Sequence, residues 1–123
     1  MNNNNKTTVV LGASPNGSRY SYLAVMRLVQ HGHKVIPIGI KKGIIAGQEI
    51  IHGNPELRDV DTITLYLNSE RQKQYYDYIL NLHPKRIIFN PGAENPELSK
   101  MASQHGIEAL DACTLVLLST GQY

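Results

Sequence analysis

The side chains best suited to chemistry in this chain stand together in the run Gly12-Ala13-Ser14-Pro15-Asn16-Gly17-Ser18-Arg19. Its small and polar residues, Ser14, Asn16, Gly17 and Ser18, let a ligand phosphate approach main-chain N–H groups, so the chemistry expected is recognition of an anion. Two phosphate-binding patterns share parts of it. Gly12 and Gly17 have the spacing of a Walker A loop, but Ser18 and Arg19 stand where the lysine and the magnesium-binding hydroxyl belong, which excludes a P-loop NTPase. The dinucleotide fingerprint asks for a second glycine where Ser14 stands, and for an acidic residue about 20 positions further on that would hold a ribose diol. In place of that acid the chain has Lys41 and Lys42, with Glu49 the next carboxylate, a pattern that suits an additional phosphate on a ribose.

No catalytic set accompanies this loop. His31 and His33 flank Gly32, His52 and His83 sit beside turns, and His105 is at a helix end, so all five are read as surface or capping residues. No pair has metal-binding spacing on one helix face, and no metal site is expected. Cys113 lies in an apolar setting with nothing nearby in sequence to lower its pKa, the pattern of an inert thiol. Glu94 and Asp111 are lone carboxylates, more in keeping with caps or solubilising groups than with acid–base catalysis.

The loop needs a strand before it and a helix after it, and the sequence supplies both. Thr7 to Leu11 is an unbroken β-branched and apolar run, as in a central parallel strand covered on both faces. Tyr20 to His31 carries Leu23, Val25, Met26, Leu28 and Val29 on a helical face and stops at Gly32. A second strand is predicted from Lys34 to Ile38, where Pro37 requires a sheet edge or strand end, and a short third strand near the edge at Gln48 to His52. Asp61 to Tyr66 is a further strand. It leads into a helix from Glu70 to about Leu82, capped by Ser69 with Gln72 completing a capping box, and with Tyr75, Tyr76, Ile79 and Leu82 inward. Lys85 to Asn90 reads as another buried strand. Asn95 and Pro96 mark a helix start, with Leu98, Met101 and Ala102 inward and Gly106 as its stop. Ile107 to Leu110 is the last strand, and Cys113 to Ser119 a short helix capped by Thr114. The alternation predicts an α/β, Rossmann-like, doubly wound and mostly parallel sheet of five or six strands with helices on both faces.

With 123 residues the chain suits one domain, taken as residues 6–123 after an asparagine-rich segment, 1–5, expected to be disordered. Hydrophobic residues make up 41% and the single cysteine excludes an internal disulfide. No apolar run is long enough to span a membrane, and the asparagine run lacks the basic and apolar parts of a signal peptide, so a cytoplasmic location is expected. A net charge of +2 from dispersed basic residues favours small anionic ligands and gives no support for nucleic acid or membrane binding.

Ligands of such sheets bind beyond the carboxyl ends of the strands. Four predicted loops gather there: Gly12 to Arg19, Gly39 to Lys42, Tyr66 to Asn68 and Asn90 to Glu94. The segments GASPNGSRYSY, VIPIG, TITLYLN and IIFNPGAENPEL resemble the small stand-alone CoA-binding proteins, relatives of the CoA-binding domain in the succinyl-CoA synthetase alpha subunit. This resemblance covers nearly the whole chain and implies a Rossmann-like fold that binds coenzyme A or an acyl-CoA. By position it implies that Gly12, Ala13, Ser14 and Arg19, with Tyr20 and Ser21 opening the helix, hold the pyrophosphate. Gly39, Ile40 and Lys41 would lie along the adenosine, and Tyr66, Leu67, Asn68, Asn90, Pro91 and Gly92 would line the pantetheine side. The chain departs from the family where Gly39-Ile40 replaces a usual Asn-Pro, and it has no counterpart of the synthetase's phosphorylated histidine. Three readings follow: a non-catalytic CoA-binding protein or partner subunit, an NADP-binding oxidoreductase-type protein, and an interaction domain with a vestigial nucleotide pocket. Both a homodimer and a complex with a partner protein are compatible with the sequence.

Overall fold

In the computed structural model, which describes residues 5–123, the chain forms a five-stranded parallel sheet. The elements run β1 (Thr8–Leu11), α1 (Tyr20–Gln30), β2 (Val35–Ile38), β3 (Ile44–Ile45), β4 (Gln48–Glu49), β5 (Thr62–Leu65), α2 (Ser69–Gln72), a 3₁₀ turn (Lys73–Tyr75), α3 (Tyr76–Leu82), β6 (Arg86–Phe89), α4 (Pro96–Gln104), β7 (Glu108–Asp111) and α5 (Thr114–Ser119). The sheet order is β2-β1-β5-β6-β7, and β3 pairs antiparallel with β4 in a separate hairpin. The expected asparagine-rich disorder falls outside the described residues for Met1 to Asn4, whereas the Asn5 side chain accepts a hydrogen bond from the Lys34 N–H at 2.9 Å.

The uniformly apolar strands are explained by two cores. Val9, Leu11, Ile63, Leu65, Ile87 and Phe89 point to one side, where they meet Ile79 of α3 with Leu98 and Ala102 of α4. Val10 and Val35 point to the other, against Val25 and Leu28 of α1 and Leu118 of α5. Successive strand residues therefore alternate between two covered faces, so periodicity of two carries no polar half. This is the doubly wound arrangement that the sequence predicts. Pro37 sits in β2, the edge strand, where a missing N–H breaks no ladder.

Several local expectations are corrected. The segment Gln48 to His52 supplies only the two residues of β4, and it reaches the main sheet through a single parallel bridge between Ile51 and Ile38. The expected helix from Glu70 to Leu82 is divided by the 3₁₀ turn, and of its proposed core face only Ile79 is fully buried. Side chains tie this segment to three places: Gln72 to the loops beside it, Tyr76 to Glu97, and Tyr78 through its hydroxyl to the Pro55 carbonyl at 2.6 Å. Those ties accompany the break in regular winding. The cap is Asn68, whose Oδ1 accepts from the Arg71 N–H at 2.9 Å, which places Gln72 beyond the reach of a capping box. Thr114 is the first residue of α5 and does not cap it; its own N–H is bound by Asn90 Oδ1 at 2.8 Å. Met101 is half-buried beside the inward Leu98 and Ala102.

Candidate functional site

From β1 the chain crosses to β2 on one side, and from there it returns past β1 to β5 on the other. The loops after β1 and β5 therefore diverge, and their carboxyl ends form the point where strand order reverses. Gly12 to Arg19 and Tyr66 to Asn68 meet there, with Gly39 to Lys42 on one flank and Asn90 to Glu94 on the other.

The first loop is tightly held, and its holding changes which groups can serve a ligand. Gly12 has φ +98°, and a Cβ there would lie 3.0 Å from the Tyr66 carbonyl carbon and oxygen and from Leu67 Cγ. The close approach that demands glycine is thus to the neighbouring loop of the fold. The N–H groups of Gly12 and Ala13 both donate to the Ile38 carbonyl at 2.9 Å, so these two expected anion ligands are already engaged. Ser14 Oγ accepts from the Asn16 N–H, and Asn16 Oδ1 accepts from the Ser18 N–H and hydroxyl. Arg19 is the extended residue before α1, and its exposed side chain makes no cap. The Ser14, Tyr20 and Ser21 N–H groups have no acceptor among the described residues, and the latter two open α1, where unpaired N–H groups and the helix dipole favour an anion. Tyr20 is 75% exposed beside them, while Ser21 is buried.

The β2 loop is fitted against the first. A Cβ on Gly39 would stand 2.1 Å from the Ala13 carbonyl oxygen, so only glycine allows the two loops to touch. Beyond it Ile40 is 72% exposed, and Lys41 and Lys42 are exposed too. The ion pairs among the described residues are Lys73 with Glu70 and Lys85 with Asp61, so Arg19, Lys41 and Lys42 have no carboxylate partner there.

On the other flank the expected residues separate into surface and interior. Asn68, Pro91 and Gly92 are exposed, and the Gly92 N–H donates to Glu94 Oε1 at 2.9 Å. Leu67 packs toward one core and Tyr66 toward the other, continuing the strand alternation. Asn90 is only 2% exposed. Its Nδ2 donates to Thr64 Oγ1 at 2.6 Å and to the Leu65 carbonyl at 2.9 Å, while Thr114 and Thr64 bond through their hydroxyls at 2.7 Å. The Asn90 side chain therefore joins β5, β6 and α5. The buried Tyr66 hydroxyl has no hydrogen-bond partner among the described residues. Burial pushes its phenol well above the ordinary value, and nearby Cys113 adds to the rise. Gln72, expected in a capping box, is instead buried between the β5 and β6 loops, where Asn95, the expected cap of α4, is buried beside it and donates to its side chain.

The remaining candidates for chemistry are dispersed. His31, His83 and His105 follow the ends of α1, α3 and α4, and no group of three His, Cys, Asp or Glu residues suited to a metal occurs among the described residues. Cys113 is a half-buried free thiol before α5. Two clefts of about 430 and 450 Å³ open elsewhere, one beside Asp59, Asp61, His83 and Lys85, the other beside Lys6, His31, His33 and Tyr123. Neither includes a residue of the four carboxyl-edge loops. No helix among the described residues is long and apolar enough to cross a membrane.

The chain matches the family model described as a CoA binding domain over residues 6–119. It is similar to the crystal structure of an uncharacterized protein at 52% identity and TM-score 0.95, covering 98% of this chain and 100% of the other. A hypothetical protein from Pyrococcus horikoshii OT3 shares the fold at 20% identity and TM-score 0.84, covering 95% of this chain and 84% of the other. A Thermus thermophilus structure does so at 21% identity and TM-score 0.83, covering 97% and 91%. No curated protein matches the chain. With its five-stranded doubly wound sheet and a family match over nearly its whole length, the chain belongs to the CoA binding domain family.

Proposed function

We propose that this protein binds coenzyme A or an acyl-CoA without catalysing a reaction on it, as a binding protein or as the partner subunit of an enzyme. The observation that carries this reading is that the loop leading into α1, with Arg19 at the helix start, touches at Ala13 and Pro15 the loop that bears the exposed Lys41 and Lys42, with no carboxylate paired to any of these cations among the described residues. A pyrophosphate there would be bound by the Ser14, Tyr20 and Ser21 N–H groups and the Arg19 guanidinium, since Gly12 and Ala13 donate to Ile38. Gly39, Ile40 and Lys41 would flank the adenosine, with the lysines suited to a ribose phosphate. The pantetheine arm would run past Tyr66, Leu67 and Asn68 toward Pro91 and Gly92, with Asn90 shaping the wall from within. The chain would act in the cytoplasm, alone, as a homodimer or with a partner protein.

The same lysines suit the ribose phosphate of NADP, which makes an NADP-binding protein the competing reading. Thermal melts against CoA, acetyl-CoA, NADP and ATP decide between them, because a ligand that binds only the native state raises its melting temperature. CoA should give the largest shift. An equal or larger shift with NADP would overturn the assignment.

A further inference from the structure

Gln72 is wholly buried, and every polar group of its side chain is engaged. Its Nε2 donates to the Leu67 carbonyl at 2.8 Å and to the Ala93 carbonyl at 2.7 Å, while its Oε1 accepts from Asn95 Nδ2 at 2.9 Å. Asn95 in turn caps α4 by accepting the Leu98 N–H at 3.0 Å, and its Nδ2 also donates to the Tyr76 hydroxyl at 2.9 Å. One nitrogen atom thus holds a carbonyl from the loop after β5 and a carbonyl from the loop after β6. Burying a carboxamide costs desolvation that an apolar side chain of similar size avoids. What it adds is geometric, because the two loops cannot separate without leaving a buried donor unpaired.

We propose that Gln72 is a positioning residue for the ligand site, fixing the separation of the 66–68 and 90–94 loops so that a ligand meets a preformed wall. This rests on the CoA-binding reading above. Preorganisation raises affinity by removing the cost of ordering the loops during binding. The clamp itself, however, exists in the ligand-free protein and can be measured there.

The test uses Gln72→Met, which keeps the length of the side chain and removes its donors, beside Asn95→Asp, which keeps the α4 cap and removes the donor to Gln72. Lys73→Ala, on the exposed side of the same segment, is the control. Calorimetric titration with CoA should show about a tenfold loss of affinity for Gln72→Met, the equivalent of one net hydrogen bond, and a smaller loss for Asn95→Asp. Hydrogen exchange without ligand should show the Tyr66 and Ala93 amides opening together in both variants while those of β1 and β6 stay protected. Native affinity and native exchange in either folded variant would overturn the proposal. If the unaltered protein fails to bind CoA, the ligand reading fails, and the exchange measurements still decide whether Gln72 couples the loops.

Discussion

The two edges of the one sheet carry similar numbers of cationic groups and use them in opposite ways. At the amino edge, Lys6 Nζ and Arg86 Nη2 both donate to the main-chain oxygen of Tyr123, and the Arg86 guanidinium lies 4.3 Å from the centre of the Tyr123 ring. Arg86 Nε donates to Thr62 Oγ1 at 2.8 Å, and the Tyr123 hydroxyl bonds to Thr8 Oγ1 at 2.5 Å. These charges hold the end of the described chain beneath β1 and β5. At the carboxyl edge Arg19, Lys41 and Lys42 stand in solvent with no carboxylate partner among the described residues. Position within the fold, more than charge itself, separates cations that serve stability from those suited to a ligand.

The largest effect expected from breaking this contrast is at Gly39, where the carboxyl-edge loops touch. Gly39→Ala should lower unfolding free energy by about 3 kcal/mol in a urea melt, because its Cβ collides with backbone that has no room to move. A loss under about 1 kcal/mol would mean that the loops are mobile enough to part, and that the site is less preformed than its packing indicates.

A paired measurement then sets the edges against each other. Arg86→Ala should cost about 2 kcal/mol of stability through its lost hydrogen bonds and ring contact, with CoA affinity unchanged. Arg19→Ala should do the reverse, weakening CoA binding by about 1–3 kcal/mol while stability changes by less than about 0.5 kcal/mol. Affinity lost at Arg86 and retained at Arg19 would place the anion at the amino edge.

The smallest effect concerns His33, also at the amino edge, which accepts the Lys6 N–H and packs against Tyr123 with ring centres 4.9 Å apart. Burial lowers its pKa from 6.5, and the nearby His31, Lys6 and Arg86 lower it further, against a weaker opposing pull from Asp61. Below pH 6.5 the unfolded chain therefore takes up protons that the folded chain resists, so stability falls with acidity until the lower folded pKa is passed. Above pH 6.5 this contribution is flat. Urea midpoints for the native protein and His33→Gln should differ in slope between about pH 7.5 and 5.5, with the variant flatter. Identical slopes would assign the acid sensitivity to other groups.

Much of the fold was legible because its signals are local. The apolar runs at Val9 to Leu11 and Ile87 to Phe89 lie within single strands, and the Asn95 cap followed by Pro96 is complete within four residues, since Asn95 Oδ1 accepts from the Leu98 N–H. Ser69 and Asn68 show where local reading weakens. Both residues are good caps, one position apart, and choosing Asn68 releases Gln72 from the helix end to the interior. For the candidate site, Lys41 is named on its charge and its place after the second strand, and Arg19 on the family resemblance. Gln72 left no comparable signal, because glutamine is common on exposed helices and its acceptors at Leu67 and Ala93 are main-chain atoms that every residue possesses.

The sequence by itself determined the alternation of strands and helices, the parallel sheet and the edge that carries the candidate loops. Each of these follows from residue type over short windows, where solvent exclusion and backbone conformation act directly. Only the tertiary structure decided that Gly12 serves contact with Tyr66, that its N–H and that of Ala13 are engaged by Ile38, and that Asn90 and Gln72 bind the walls from inside. The Gln72 link to Ala93 spans 21 residues and the Asn90 link to Leu65 spans 25, and a side-chain amide has no preference among carbonyls until packing brings one within reach.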